Sequence, residues 1–195
     1  MNKNLLLRPR LKLAKLPTPL DRVENLGKSL GNLDLWIKRD DLTGFGFGGN
    51  KVRSLEYLAA DAMKKNSNIL ITGGSHGSNH VRTTMAVAAH LGLKGLAVLS
   101  GTRPSTKNGN LLLDQLLGAK LIFTGDENRS NIDNFIEDEV KRLQSLDERP
   151  YLIRRGGVSS LGCIGYVSAA MEICSQLQNL NLKPDILLCA TGCGV

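Results

Sequence analysis

The sequence predicts an α/β fold: open, mostly parallel sheets with helices on both faces. Three observations point there. Strand-like and helix-like runs alternate at least five times along the 195 residues, the order that builds a parallel sheet with crossover helices. The strand-like runs are short and continuously apolar, as expected when both faces of a sheet are covered. Polar, glycine-rich loops follow several of them, and in such sheets ligands sit beyond the carboxyl ends of the strands.

Taken in order, residues 17–20 (Pro-Thr-Pro-Leu) read as an irregular arm, because a residue before proline is pushed toward extended backbone. Residues 22–30 fit a short helix closed by Gly31 and Asn32. Residues 33–38 alternate apolar and polar, the period of a strand. Val52, Leu55, Leu58, Ala59, Ala62 and Met63 recur at helical spacing, which predicts an amphipathic helix with one buried face. Residues 69–72 read as an apolar strand, 81–90 as a helix ended by Gly92, and 96–99 as the next strand. A helix over 110–117, a strand over 121–123 and an acid-rich helix over 132–146 follow. Then come a strand over 151–153, a long helix over 161–180 and a last strand over 186–189.

Aromatic residues make up 4% of the chain, so the core must be aliphatic. The formal net charge is +7. The basic residues are spread along the chain and are not interleaved with aromatics. They fit a solvated surface with attraction for an anionic ligand better than a nucleic-acid-binding face. Cys163, Cys174, Cys189 and Cys193 form no Cys-x-x-Cys, which suits free thiols in a cytoplasmic protein. No apolar run approaches the length of a membrane span.

The most informative stretch is residues 43–53, Thr-Gly-Phe-Gly-Phe-Gly-Gly-Asn-Lys-Val-Arg. Gly44, Gly46, Gly48 and Gly49 fall within six residues, and glycine carries the largest backbone entropy cost on folding. Such density implies a sharp turn or a close approach of backbone to another group. A strand-to-helix loop is the plainer reading. The literal Gly-x-Gly-x-x-Gly from Gly44 to Gly49 is not a dinucleotide fingerprint, since no acid closes the next strand. It is not a phosphate loop of the nucleotide-binding kind either, since Asn50 precedes Lys51 and Val52 follows it. Lys51 opens a helix, where the positive end of the dipole disfavours a cation. Imine-forming chemistry requires the free amine.

Two further loops are unusual. Residues 73–80 bring Ser78, Asn79 and His80 to a helix N-terminus. Ser and Asn are also standard helix caps. Thr191, Gly192, Cys193 and Gly194 follow an apolar run and suit an anion nest, or a simple turn. All three loops are expected to open on one edge of the sheet. A candidate imine-forming lysine together with an anion nest suggests pyridoxal 5'-phosphate.

The runs Lys38-Arg39-Asp40-Asp41, residues 47–53, Ser78-Asn79-His80-Val81-Arg82, residues 109–114 and Gly162-Cys163-Ile164-Gly165-Tyr166 resemble the D-cysteine desulfhydrase and 1-aminocyclopropane-1-carboxylate (ACC) deaminase family. These are pyridoxal-phosphate enzymes of the tryptophan-synthase-β fold type. The resemblance implies two interleaved α/β domains, residues 1–50 with 155–195 in the larger and 51–154 in the smaller. It also implies that the larger domain is incomplete, since family chains continue past the third loop. Lys51 would hold the cofactor through an imine and move the substrate's α-proton, with Asn50 beside it. Asn79 would bond the pyridoxal 3-oxygen, and Ser78 would contact the substrate carboxylate or act in proton transfer. Thr191, Gly192, Cys193 and Gly194 would begin the phosphate loop. His80 stands where the desulfhydrase branch has histidine and the deaminases have glutamine. D-cysteine is therefore the expected substrate, ACC the alternative, and a homodimer the expected assembly. A non-catalytic or partner-dependent fragment is the competing expectation.

Overall fold

The computed structural model describes residues 7–128 and 131–192. Near the start, β1 (Leu20–Arg22) pairs antiparallel with β2 (Trp36–Lys38), Leu20 opposite Lys38. Between them lies α1 (Glu24–Ser29). The helix expected over 22–30 is shorter because its first residue belongs to β1. The strand expected over 33–38 keeps the three residues that face that partner.

The main sheet has four parallel strands in the order β5-β4-β3-β6. They are β3 (Ile69–Gly74), β4 (Lys94–Leu99), β5 (Lys120–Phe123) and β6 (Pro150–Leu152). Successive side chains of a strand point to opposite faces, and the core divides accordingly. Ile69, Ile71, Leu96 and Val98 pack on Ile132, Ile136 and Leu143 of α5 (Ile132–Gln144). On the other face, Leu70 meets α2 (Lys51–Lys64) and α3 (Asn79–His90). Ala97 and Leu99 meet Val81, Met85 and Leu111, the last on α4 (Gly109–Leu116). Each such side chain, fully buried, is worth roughly 1.5–3 kcal/mol. Helices thus cover both faces, as the unalternating strands predicted.

Two expectations need correcting. The first concerns α2, which is not buried along one face alone. Val52, Arg53, Ser54, Leu55, Glu56, Tyr57, Leu58 and Ala59 are all buried. One side of α2 meets the sheet and α3, and α6 (Ser160–Asn179) packs on another. At Gly165 a Cβ would lie 2.3 Å from the Arg53 carbonyl oxygen, so glycine lets the two helices close. Two charged residues caught in this packing, Glu56 and Arg53, find partners, whereas the Ser54 hydroxyl and Glu56 Oε2 accept no hydrogen bond. Glu56 Oε1 accepts from the backbone N–H of Leu13 and of Ala14, both at 2.9 Å. Arg53 reaches two carboxylates, described below.

The second correction is the strand expected over 186–189. These residues are not in a strand. Ile186, Leu187 and Leu188 are 76%, 77% and 84% exposed. A strand exists only when its N–H and C=O groups find a neighbour, and among the described residues none lies alongside this run. Cys163, Cys174 and Cys189 are free thiols, as expected.

Candidate active site

A 3₁₀ turn, Asp40–Thr43, leads into the glycine loop. Gly44, Gly46, Phe47, Gly48 and Gly49 all have positive φ, between 52° and 105°. L side chains rarely adopt this left-handed backbone. At Gly48 space is limiting too, since a Cβ would sit 2.1 Å from the Asp41 carbonyl oxygen. The loop ends at Asn50, and Lys51 is the first residue of α2. The Asn50 amide donates to Tyr166 Oη at 2.9 Å, which ties the loop to α6. Lys51 is half-buried, and its Nζ donates to the Gly156 carbonyl oxygen at 3.2 Å. Among the described residues no carboxylate pairs with this amine.

The second loop follows β3. Ser78 caps α3, and its Oγ accepts from the Val81 N–H at 3.3 Å. Asn79 is exposed, and its Oδ1 accepts two hydrogen bonds, from Asn110 Nδ2 at 2.9 Å and from Arg82 Nη2 at 3.4 Å. A guanidinium can only donate, so the amide oxygen must face Arg82 and the NH2 group points the other way. Arg82 also donates to the carbonyl oxygens of Gly46 and Gly48. The glycine loop and the Ser78–Asn79 turn are thereby brought to the same edge.

His80 is 4% exposed, with Nε2 3.1 Å from Thr72 Oγ1. Burial pushes its pKa down to about 4, the Lys51 charge adds to this, and the Arg154 backbone opposes it. The imidazole is therefore neutral at physiological pH and is buried within reach of the Lys51 charge rather than at the surface.

Of the third loop, the described residues Thr191 and Gly192 do not join the other two. Thr191 and Gly192 are exposed, and no hydrogen bond links them to Lys51, Ser78 or Asn79 among the described residues. Cys193 and Gly194 lie outside the described residues. Two surface clefts, of about 500 and 440 Å³, lie elsewhere, around Tyr151 and around Lys120.

Residues that sequence reasoning left without a role hold this arrangement. They are Arg82, Asn110 and Tyr166, and Asp114 acts on Arg82 electrostatically. Asp114 is fully buried, with no hydrogen bond to either oxygen. Its pKa is raised to about 7 by burial, with Arg82 pulling the other way. One signal was available. Leu111 and Asp114 stand three apart and share the buried side of α4, so helical period alone puts a carboxylate on an apolar face.

These residues suit pyridoxal phosphate at two points. The Lys51 amine is not spent on a salt bridge, and the Asn79 amide is aimed by the two donors on its oxygen. The comparisons agree. The sequence profile of the pyridoxal-phosphate dependent enzyme family matches residues 11–195. The chain belongs to that family, whose cofactor is pyridoxal phosphate.

Within it, the D-cysteine desulfhydrase of Serratia proteamaculans is 40% identical over 189 residues, covering 94% of this chain and 56% of the relative. A Pyrococcus furiosus protein provisionally named 1-aminocyclopropane-1-carboxylate deaminase is 37% identical over 186 residues, covering 95% and 56%. A crystal structure of an ACC deaminase homologue superposes with a TM-score of 0.83 at 38% identity, over 89% of this chain and 53% of the other. The apo structure of Escherichia coli diaminopropionate ammonia lyase shares the fold, at 18% identity and a TM-score of 0.68 over 93% and 53%. The chain spans about half the length of the curated relatives it matches. Among the described residues no helix is long and apolar enough to cross a membrane.

Proposed function

We propose that this chain supplies the lysine-bearing side of a pyridoxal-phosphate lyase active site that acts on a small amino acid. D-cysteine is the favoured substrate, and ACC deamination is the second reading. The observation that carries the proposal is the Lys51 amine, half-buried at the start of α2, hydrogen-bonded to a carbonyl and not to a carboxylate. The bias toward D-cysteine rests on His80 and on relatives of that name at about 40% identity. Relatives of the other name lie close behind, so assay decides between them. A homodimer is part of the same proposal.

Bound through Lys51, pyridoxal phosphate supplies an electron sink for a carbanion at the substrate's α-carbon. The chain's own residues do the rest. Lys51 Nζ, once released from the cofactor, would take the α-proton. The Asn79 amide would donate to the cofactor's ring oxygen, its direction set by Asn110 and Arg82. The Ser78 hydroxyl and the free N–H groups at the start of α3 receive the substrate carboxylate, as helix N-termini favour anions. His80, neutral and buried, offers the site a hydrogen-bonding wall without adding a second cation beside Lys51. For D-cysteine and one water, the products balance as pyruvate, hydrogen sulfide and ammonia.

The test is a spectral titration of the purified chain with pyridoxal phosphate, followed by borohydride reduction and peptide mapping. Pyridoxyl label on Lys51, absent from Lys51→Ala, is the expected result. Label distributed over surface lysines, or retained by Lys51→Ala, overturns the assignment. Sulfide release from D-cysteine against ammonia release from ACC then separates the two substrates.

A further inference from the structure

Arg82 is 5% exposed, and its guanidinium is committed in an unusual way. An arginine buried in a protein ordinarily forks onto a carboxylate. Here Nη1 donates to the Gly46 carbonyl oxygen, and Nη2 to the Gly48 carbonyl oxygen at 3.3 Å and to Asn79 Oδ1 at 3.4 Å. Asp114, the carboxylate that acts on Arg82 electrostatically, accepts no hydrogen bond from it. Nor does a backbone hydrogen bond join the loop over 44–50 to the turn over 75–79 among the described residues. The remaining links are packing contacts: a Cβ at Gly46 would lie 2.9 Å from that of Ala86 on α3, and the Phe45 ring meets His90 edge-on at 5.6 Å, so the loop rests on that helix.

We propose that Arg82 is a positioning residue, a guanidinium fork that holds the lysine-bearing glycine loop and the Asn79 side chain in one register. The reasoning is geometric. Five positive-φ positions between 44 and 49, interrupted once at Phe45, leave the loop with few backbone bonds of its own. Two of its carbonyl oxygens point into α3, where one planar cation meets both. The same cation meets the amide oxygen of Asn79, so a shift of the loop also removes one of the two donors that aim Asn79. Neutral donors could satisfy one carbonyl each; a fork satisfies them together.

The consequence for cofactor binding rests on the reading of Lys51 and Asn79 given above, but the mechanical claim does not. It is tested without cofactor, by amide hydrogen exchange of the full 195-residue chain with Arg82→Met, which keeps the stem and removes every donor. Exchange over residues 44–50 and 77–80 should rise by about tenfold, the loss of one or two charge-assisted bonds. Exchange in β3 and β4 should stay as in the parent. Unchanged exchange over 44–50 overturns the proposal. If Arg82→Met loses protection in β3 and β4 as well, Arg82→Lys decides. A lysine reaches one carbonyl at a time, so a smaller acceleration over 44–50 with intact strands is expected. Parent-like loop exchange in that variant overturns the proposal equally. Pyridoxal phosphate titration is the second arm. Weaker binding by the variants with label still on Lys51 supports the coupling to function. Failure of the parent chain to bind would sink the functional reading and leave the exchange result standing.

Discussion

Arg53 and Arg82 are both buried beside the glycine loop that leads to Lys51, and they are partnered in opposite ways. Arg53 is 1% exposed. Its Nε and Nη2 donate to Asp40 at 2.7 Å each, and Nη1 and Nη2 donate to Glu172 at 3.1 and 3.2 Å. Thr18 bridges the same carboxylates, and Lys38 and Gln176 complete the network. It joins the N-terminal arm, the turn before the glycine loop, α2 and α6. Arg82 instead directs Nη1 and Nη2 to two carbonyls and one amide oxygen, keeps Nε without a partner and leaves Asp114 unbonded. Where two carboxylates meet the guanidinium directly, charge fixes structure. Where the carboxylate stands apart, its protonation is left open near neutrality. The two arginines thus separate holding a helix from holding a loop.

The comparison is broken most directly by Arg53→Ala, which strands Asp40 and Glu172. Removing one partner of a buried ion network costs about 3–5 kcal/mol, so the melting temperature should fall by roughly 10 °C. A small loss would mean that water already screens the network.

Smaller, and opposite in pH dependence, is Asp114→Asn. The Asp114 pKa rises from 3.8 to about 7 on folding, so the folded chain binds the proton more tightly. Its contribution is present below pH 4 and is lost as pH rises toward 7. For Glu172, burial opposes ionisation but the hydrogen bonds from Arg53 and Lys38 win, so its pKa is lowered from 4.5. That contribution is present above pH 4.5 and lost on acidification. Asp114→Asn should therefore flatten the decline between pH 4 and 7 and raise the melting temperature at pH 8 by about 2–4 °C per kcal/mol recovered. Melting curves across pH check the sign. Least of all should change in Arg39→Ala. That guanidinium pairs with Asp21 and Asp41 at the surface, where ion pairs contribute little, and its melting temperature should match the parent's.

Much of this was legible in the sequence. The order of helices and strands, the loop at 44–51 and the helix start at Ser78 all follow from local pattern and turn chemistry. The full burial of α2 did not, because hydrophobic period counts Arg53 and Glu56 as outward-facing and cannot see that Asp40, Glu172 and the backbone of Leu13 come to meet them. Asp114 was missed for the converse reason, a charged residue on an apolar face being taken with its leucine-rich surroundings. The run at 186–189 has strand composition, yet a strand is a relation between two segments, and composition describes one.

The enclosure of α2 has an evolutionary corollary. A helix hemmed in along nearly its whole circumference offers selection almost nowhere to experiment, since an altered side chain at any of eight consecutive positions meets a packed neighbour. Diversification of chemistry around the reactive amine must then come from the turns that border it, where Phe47, His76 and Gly77 stand open to change.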